Sequence, residues 1–441
     1  MKKFLIFFLL IFLSNCSLDS KSGLWTKSKI IEQKKPIIKE QFKKEPASKL
    51  EFNPKLKINL SEKLINNSFI NNLDNNNGRI NYNGTLKKAS RFKFKKIHNF
   101  DQFEPEIVFN KNNVIFFDNK GSILKFNDQS KLIWKKNYYT KNEKKSKPIL
   151  FFANNDNTLV VADSIAKFYA VKIDTGELLW SKNNSAPFNS QVKIYKNKFF
   201  VIDFENTLRC YSLKNGTEIW NIKTDQSLIK SQKKLSLIIV RDKIYFNNSL
   251  GDITAANIND GRIIWQSPTQ SSTIYEDSFF LKTSDIIAGN NSILLSNNRN
   301  EFFSLDIRNG SLKWKQKVNS NLRPTLIENL VFSVTNEGFL VVIDNETGNI
   351  VRITNIFDRF KVRKIIKAFT KPIEIRVKPE GFIVGSKNIY LTTNNGRLVV
   401  IDIKSGKTTS ILKLDNEKIS RPFVLNQNLY IIKDNSIIKL D

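Results

Sequence analysis

Glycine stands four residues before tryptophan at four places in this chain. They are Asp174-Thr175-Gly176-Glu177-Leu178-Leu179-Trp180, Asn215-Gly216-Thr217-Glu218-Ile219-Trp220, Asp260-Gly261-Arg262-Ile263-Ile264-Trp265 and Asn309-Gly310-Ser311-Leu312-Lys313-Trp314. Each Gly follows an alternating apolar run such as Phe302-Phe303-Ser304-Leu305-Asp306-Ile307 and precedes a second run that ends on the Trp. A polar residue and Gly between two such runs mark a tight hairpin, because Gly enters the left-handed region that the turn and its following bulge require. A third run, for example Lys243-Ile244-Tyr245-Phe246, lies ahead of the hairpin, and the variable segment before it has room for a fourth. Trp134, Trp180, Trp220, Trp265 and Trp314 follow one another at intervals of 40 to 50 residues. That is the spacing of a four-stranded propeller blade. A single blade cannot bury its own faces, so these Trp residues are expected to be blade-packing residues, wedged against the neighbouring blade.

Aligned on this unit, copies fall near 112–137, 157–183, 197–222, 242–267, 291–316, 329–354 and 387–412. Three are degenerate: the first has Ser130 at the turn Gly, the sixth Arg352 and the seventh Ser410 at the Trp. An eighth copy begins at Gln427 and ends with Asp441, one strand short of a blade. A ring does not tolerate that open edge, and Ser90-Arg91-Phe92-Lys93-Phe94-Lys95 alternates correctly to fill it. The predicted fold is all-β: an eight-bladed β-propeller of four-stranded antiparallel blades over 90–441, closed by an N-terminal strand.

Lys2 and Lys3 precede an apolar run, Phe4 to Leu13, too short to span a bilayer and long enough for a signal peptide over 1–15. The run ends in Leu13-Ser14-Asn15-Cys16, which resembles the lipobox of bacterial lipoproteins with Asn15 where a smaller residue is usual. Cys16 is the expected lipidation site, with an ordinary secretory signal as the alternative. Residues 16–60 are Lys-rich and polar and read as a flexible lipid-anchored tether, and 61–89 as a lead-in lying against the ring.

The other cysteine, Cys210, lies in a strand and has no partner for a disulfide. The formal charge of +30 is spread over all blades, and a secreted chain meets no genome, so no nucleic acid is expected. Contact with anionic lipid or an acidic partner fits it better, beside plain compositional bias. His98 is the one histidine, so a His-based triad or a His/Cys zinc site has too few residues. No Walker-type, dinucleotide or EF-hand loop occurs. No catalytic residue, metal or cofactor is assigned. Between the sixth and seventh units, 354–387 is unusually long and carries Arg359, Lys361, Arg363, Lys364 and Lys367 around Ile365, Ile366 and Phe369. It reads either as a basic amphipathic projection or as a long innermost strand and loop.

Gly338-Phe339-Leu340-Val341-Val342-Ile343-Asp344 and Asp174 to Trp180 match the two halves of the quinoprotein (PQQ-type) propeller repeat, which the chain from about 90 to 441 resembles. Within that superfamily the chain resembles the BamB family of outer-membrane lipoproteins, which combines a lipobox, a tether and an eight-bladed ring closed by an N-terminal strand. The alternative, a periplasmic quinoprotein-like dehydrogenase or ligand-binding propeller, fits less well: the chain lacks the adjacent cysteines and haem segment many such enzymes carry. The resemblance implies a non-catalytic scaffold of the β-barrel assembly machinery, held by lipid on the periplasmic face of the outer membrane, a monomer within its complex. It also implies binding to a periplasmic POTRA domain of a BamA-like barrel protein. In the family two loops, between the third and fourth and the fourth and fifth blades, make that contact. Here they fall near 224–234 and 268–285, giving Leu228, Ile229, Lys230, Glu276, Asp277 and Asp285 as the partner-binding residues.

Overall fold

The computed structural model describes residues 50–61, 73–225, 232–269, 280–289, 291–360, 363–365, 373–375 and 377–441. The signal segment, Cys16, the tether to residue 49, Leu228, Ile229, Lys230, Glu276 and Asp277 lie outside the described residues.

Eight four-stranded antiparallel sheets make the ring. Blades 1 to 7 span 108–136, 150–183, 193–223, 237–267, 287–316, 325–355 and 379–413, each running from its innermost to its outermost strand. Blade 8 takes three strands from the C-terminus, Phe423–Leu425, Asn428–Ile432 and Ser436–Leu440, and its outer strand, Lys88–Lys93, from the N-terminal side. The closing strand lies two residues earlier than the alternation suggested. A bulge between Lys88 and Ser90 extends the pairing back to Lys88 opposite Leu440, while Phe94 and Lys95 pass beyond the strand's end. Phe92 fixes the closure: it is fully buried, with ring centroids 5.7 Å from Phe126 of blade 1 and 6.1 Å from Tyr430 of blade 8.

The same bulge recurs in the outer strand of every blade, just before the Trp position. It kinks the edge strand and so blunts it against pairing with another chain.

Each Trp is stacked on the turn Gly of the next blade. A Cβ on Gly176 would lie 3.1 Å from Trp134, on Gly216 2.6 Å from Trp180, on Gly261 2.7 Å from Trp220, on Gly310 2.5 Å from Trp265 and on Gly348 2.5 Å from Trp314. These glycines are needed twice over, for their positive φ and for the ring that lies on them. Where the indole donates, it donates to the carbonyl three residues before that Gly: Trp134 to Ile173 at 3.2 Å, Trp180 to Leu213 at 3.0 Å and Trp314 to Asn345 at 2.7 Å.

The degenerate repeats follow from this geometry. Arg352, fully buried, lies against Gly406 as a Trp would and donates to the equivalent carbonyl, Ile403, at 3.0 Å. Ser410 needs no counterpart, because blade 8 draws its outer strand from the other end of the chain and has no hairpin there to receive a Trp. Ser130, at φ +63°, faces the other side of the seam, where the closing strand supplies Ser90 and no Trp.

Arg352 also shows why the expected tether is ordered over its last residues. Its guanidinium donates to Leu56 at 3.0 Å and to Lys404 at 2.6 Å. Phe52 pairs with Ile353 on the outer strand of blade 6, and Ile58 donates to Lys404 of blade 7 at 3.0 Å. Residues 50–61 thus form a clip across the junction that lacks a Trp. The long basic connection, 354–387, holds a separate two-stranded hairpin, Arg363–Ile365 with Ile373–Ile375, ahead of the innermost strand Pro379–Val384; its side chains from 361 to 376 lie outside the described residues.

Candidate functional site

The innermost strands line the ring axis. Two residues before this strand in blades 1, 3, 5, 6 and 8 stand Glu106, Gln191, Asp285, Arg323 and Arg421. The repeat puts one side chain per blade at the same height, so charges far apart in sequence meet at the centre. Arg421 pairs with Glu106 at 2.6 Å, Lys234 with Glu106 at 3.2 Å and Arg323 with Glu106 at 3.5 Å. Arg323 also holds Asp285 through Nε at 2.7 Å, Arg421 approaches Asp285 at 3.9 Å, and Lys233 pairs with Glu104.

Burial disfavours the charged form of Glu106, yet Lys234, Arg421 and Arg323 outweigh it and hold the carboxyl at about 2. Asp285 is likewise depressed against its burial, with Arg323 the main cause. Burial and the neighbouring Arg323 push Lys193 down to about 7. A network of this kind adds little net stability, but deleting one member strands the others.

A strap, residues 73–82, crosses the axial end of the innermost strands. Ile239 of blade 4 donates to Leu73, Ala288 of blade 5 to Asp74, and Leu326 of blade 6 to the Asn76 side chain; Ile80 donates to Val384 of blade 7, and Tyr82 through its hydroxyl to Asp441. Asn75 is fully engaged: its amide donates to Gln191 at 2.9 Å, Ser236 at 3.1 Å and Ile286 at 3.0 Å, and accepts from Lys193 at 2.7 Å. Beside the strap a cavity of about 90 Å³ remains, lined by the innermost strands of blades 1 to 3 with Arg323, Arg421 and Phe423. Ligand pockets for drug-sized molecules run to about 300–1,000 Å³.

Of the six residues expected to meet a partner, Asp285 alone is described. It is not a loop carboxylate turned to solvent: its side chain is 6% exposed and belongs to the axial cluster. The charges of Arg323 and Arg421 draw it inward. Lys233 and Lys234 end the connection between blades 3 and 4, and Asp285 ends the one between blades 4 and 5, so these described ends are pinned to the axis by ion pairs. Sequence reasoning missed Glu104, Glu106, Lys193, Lys234, Arg323 and Arg421. The signal was their fixed offset from the innermost strand, whose start is the least regular part of each repeat. Away from the axis, aliphatic pairs beside the Trp residues are exposed on the outer strands, as at Leu132-Ile133, Leu178-Leu179 and Ile263-Ile264. Among the described residues no three His, Cys, Asp or Glu side chains converge as a metal-binding set.

The family model described as outer membrane protein assembly factor BamB matches residues 96–354. Outer membrane protein assembly factor BamB of Shewanella oneidensis is 23% identical over 262 residues, which cover 56% of this chain and 59% of that protein. The chain spans about three fifths of the length of the curated relatives it matches. Among solved structures, BamB from Moraxella catarrhalis superposes with a TM-score of 0.63 at 14% identity, covering 81% of this chain and all of that one. A europium-containing methanol dehydrogenase superposes with a TM-score of 0.62 at 13% identity, covering 82% and 88%. At such identities these likenesses speak for the fold alone.

Proposed function

The chain belongs to the family of outer membrane protein assembly factor BamB, and from that premise we propose that it is a non-catalytic scaffold in the assembly of outer-membrane β-barrel proteins. Its place is the periplasmic face of the outer membrane, held by lipid on Cys16, and its partner is a BamA-like barrel protein, met through a periplasmic domain. The family match over 96–354, which takes in the first six blades, carries this reading.

Two structural features support it. The described ends of the connections between blades 3 and 4 and between blades 4 and 5, at Lys233, Lys234 and Asp285, are locked into the axial cluster, so a partner bound beside them would meet a rigid base and lose less freedom on binding. The strap and the ion pairs occupy the ring centre, where a dehydrogenase would need room for its quinone, and the cavity beside them measures about 90 Å³. A tether at the membrane raises local concentration, so modest affinity for the partner suffices.

The test is a pull-down of the full chain from detergent-solubilised envelopes, with an absorbance scan of the purified protein. The reading expects a large barrel protein with periplasmic domains and no chromophore. A bound quinone with dye-linked dehydrogenase activity would overturn it.

A further inference from the structure

We propose that the outer edge of the ring at blades 8 and 1 is a contact surface for anionic lipid head groups, with Leu132 and Ile133 as its apolar centre. This goes beyond the scaffold reading and depends neither on the partner protein nor on lipid at Cys16, because the folded ring itself makes the contact. The closing strand Lys88–Lys93 and the outer strand of blade 1, Leu132–Lys136, belong to adjoining blades. Across that seam the rings of Phe94 and Phe116 lie 5.0 Å apart, and Lys439 of blade 8 donates to the Asp128 carbonyl at 3.3 Å. In blade 1 the bulge leaves Ile133 as the extra residue between the pairs Phe126 with Leu132 and Lys125 with Trp134, which breaks the strand's alternation. Leu132 and Ile133 are therefore exposed together, at 45% and 49%.

The two strands and their flanks carry one sign of charge. Residues 85–100 hold Lys87, Lys88, Arg91, Lys93, Lys95 and Lys96 and no acidic side chain, and 129–140 hold Lys131, Lys135 and Lys136 and none either. Lys96 is matched by Asp434 at 2.9 Å and Lys135 by Asp118 at 2.7 Å. On the turn of blade 2 that borders blade 1, Asp174 is matched by Lys125 at 3.0 Å and Glu177 by Lys172 at 3.9 Å. Lys87, Lys88, Lys93, Lys95, Lys131 and Lys136 are exposed, and their ammonium groups have no ion pair or hydrogen bond among the described residues. Two further carboxylates stand beside them, Asp128 on the blade 1 hairpin and Asp441, which accepts from the Thr85 hydroxyl and the Lys87 amide; two do not offset six.

Exposed aliphatics recur on blades 2, 3 and 4, at Leu178-Leu179, Ile219 and Ile263-Ile264, but there each hairpin and outer strand mixes both signs: Lys182 with Glu177, Lys223 with Glu218 and Arg262 with Asp260. On blade 5, Lys313 and Lys315 beside Leu312 are engaged by Ser292 and Glu301. The seam of blades 8 and 1 joins exposed aliphatics to unmatched lysines, which is what an anionic bilayer surface takes: phosphates meet the ammonium groups, and a short apolar group reaches the acyl boundary below them. The long lysine stems let the charges stay among the head groups as the aliphatic pair settles.

The experiment places the photocrosslinker p-benzoylphenylalanine at Ile133 or at Ile264, the residue before the Trp in blades 1 and 4, in the full chain reconstituted with vesicles. The vesicles are phosphatidylcholine alone or an equimolar mixture with phosphatidylglycerol, and lipid adducts are read by mass spectrometry. With phosphatidylglycerol present, the probe at Ile133 should yield at least about tenfold more lipid adduct than the probe at Ile264, and Lys93→Glu with Lys131→Glu should lower it by about tenfold or more. Phosphatidylcholine alone should give a similar loss without any change of charge in the protein, so the result does not hang on the double variant folding. The proposal is overturned if the two positions crosslink equally, if phosphatidylcholine alone serves as well, or if the charge reversals change nothing. In whole envelopes, a discrete protein adduct at Ile133 or a crosslinked dimer of this chain, in place of lipid, would overturn it too.

Discussion

Gly310→Ala tests whether the turn Gly and the Trp of adjacent blades are one device. Gly310 has φ +74°, and an added Cβ would lie 2.5 Å from Cε3 and 2.7 Å from Cδ2 of Trp265. The left-handed backbone costs a residue with a side chain about 1–2 kcal/mol. The overpacking adds about 1–3 kcal/mol. The single substitution should therefore destabilise by about 2–5 kcal/mol. Trp265 is buried and its indole nitrogen has no hydrogen-bond partner among the described residues, so Trp265→Ala removes packing without breaking a bond there, at a cost of about 3–5 kcal/mol. In the Trp265→Ala background the clash is gone, and Gly310→Ala should cost only its backbone part, about 1–2 kcal/mol. A double-mutant cycle in urea, with all four proteins showing the same slope, should give a coupling of about 1–3 kcal/mol. Additivity within about 0.5 kcal/mol would refute the stacking as the reason for Gly at this turn.

Two further outcomes follow from single residues. Arg352→Ala leaves the carbonyls of Leu56 and Ile403 without their donor and that of Lys404 with the Ile58 amide alone, so it should cost about 2–4 kcal/mol and open 50–61 to limited proteolysis, and a clip that stays resistant in the variant would contradict the role given to Arg352. Asp163 is buried, its carboxylate accepts from the Tyr139 hydroxyl at 2.6 Å and from the amides of Ile165 and Lys167, and burial raises it to about 6 from an ordinary value of 3.8. The folded state therefore keeps this proton to higher pH than the unfolded chain, and the site weakens the fold progressively as pH rises from about 4 through 6. Asn248 accepts the equivalent amide bonds in blade 4, so Asp163→Asn should leave stability unchanged near pH 4 and raise it by about 1–3 kcal/mol at pH 8; a gain of equal size at both pH values would rule out ionisation as the cause.

The sequence by itself determined the architecture, because blade identity rests on local chemistry repeated in register: Gly at a turn that needs positive φ, alternating runs on either side, and Trp at the end. It also called for a closing strand, since a three-stranded last blade leaves an edge that only the chain's other end can fill, and Phe92 was within the run chosen for it. Tertiary structure decided the rest. The meaning of Arg352, Ser410 and Ser130 depends on which blade lies next to which, and the seam between blades 8 and 1 is a property of the closed ring. Residues 50–61 look like tether by composition, yet they are held by Phe52, Ile58 and the buried Arg352, partners about 300 residues away in the chain or on another blade. The axial cluster was hidden for the same reason. Glu106, Asp285, Arg323 and Arg421 each read as an ordinary charged loop residue until eight-fold repetition brings them to one axis, where low solvation makes every charge answer to the others.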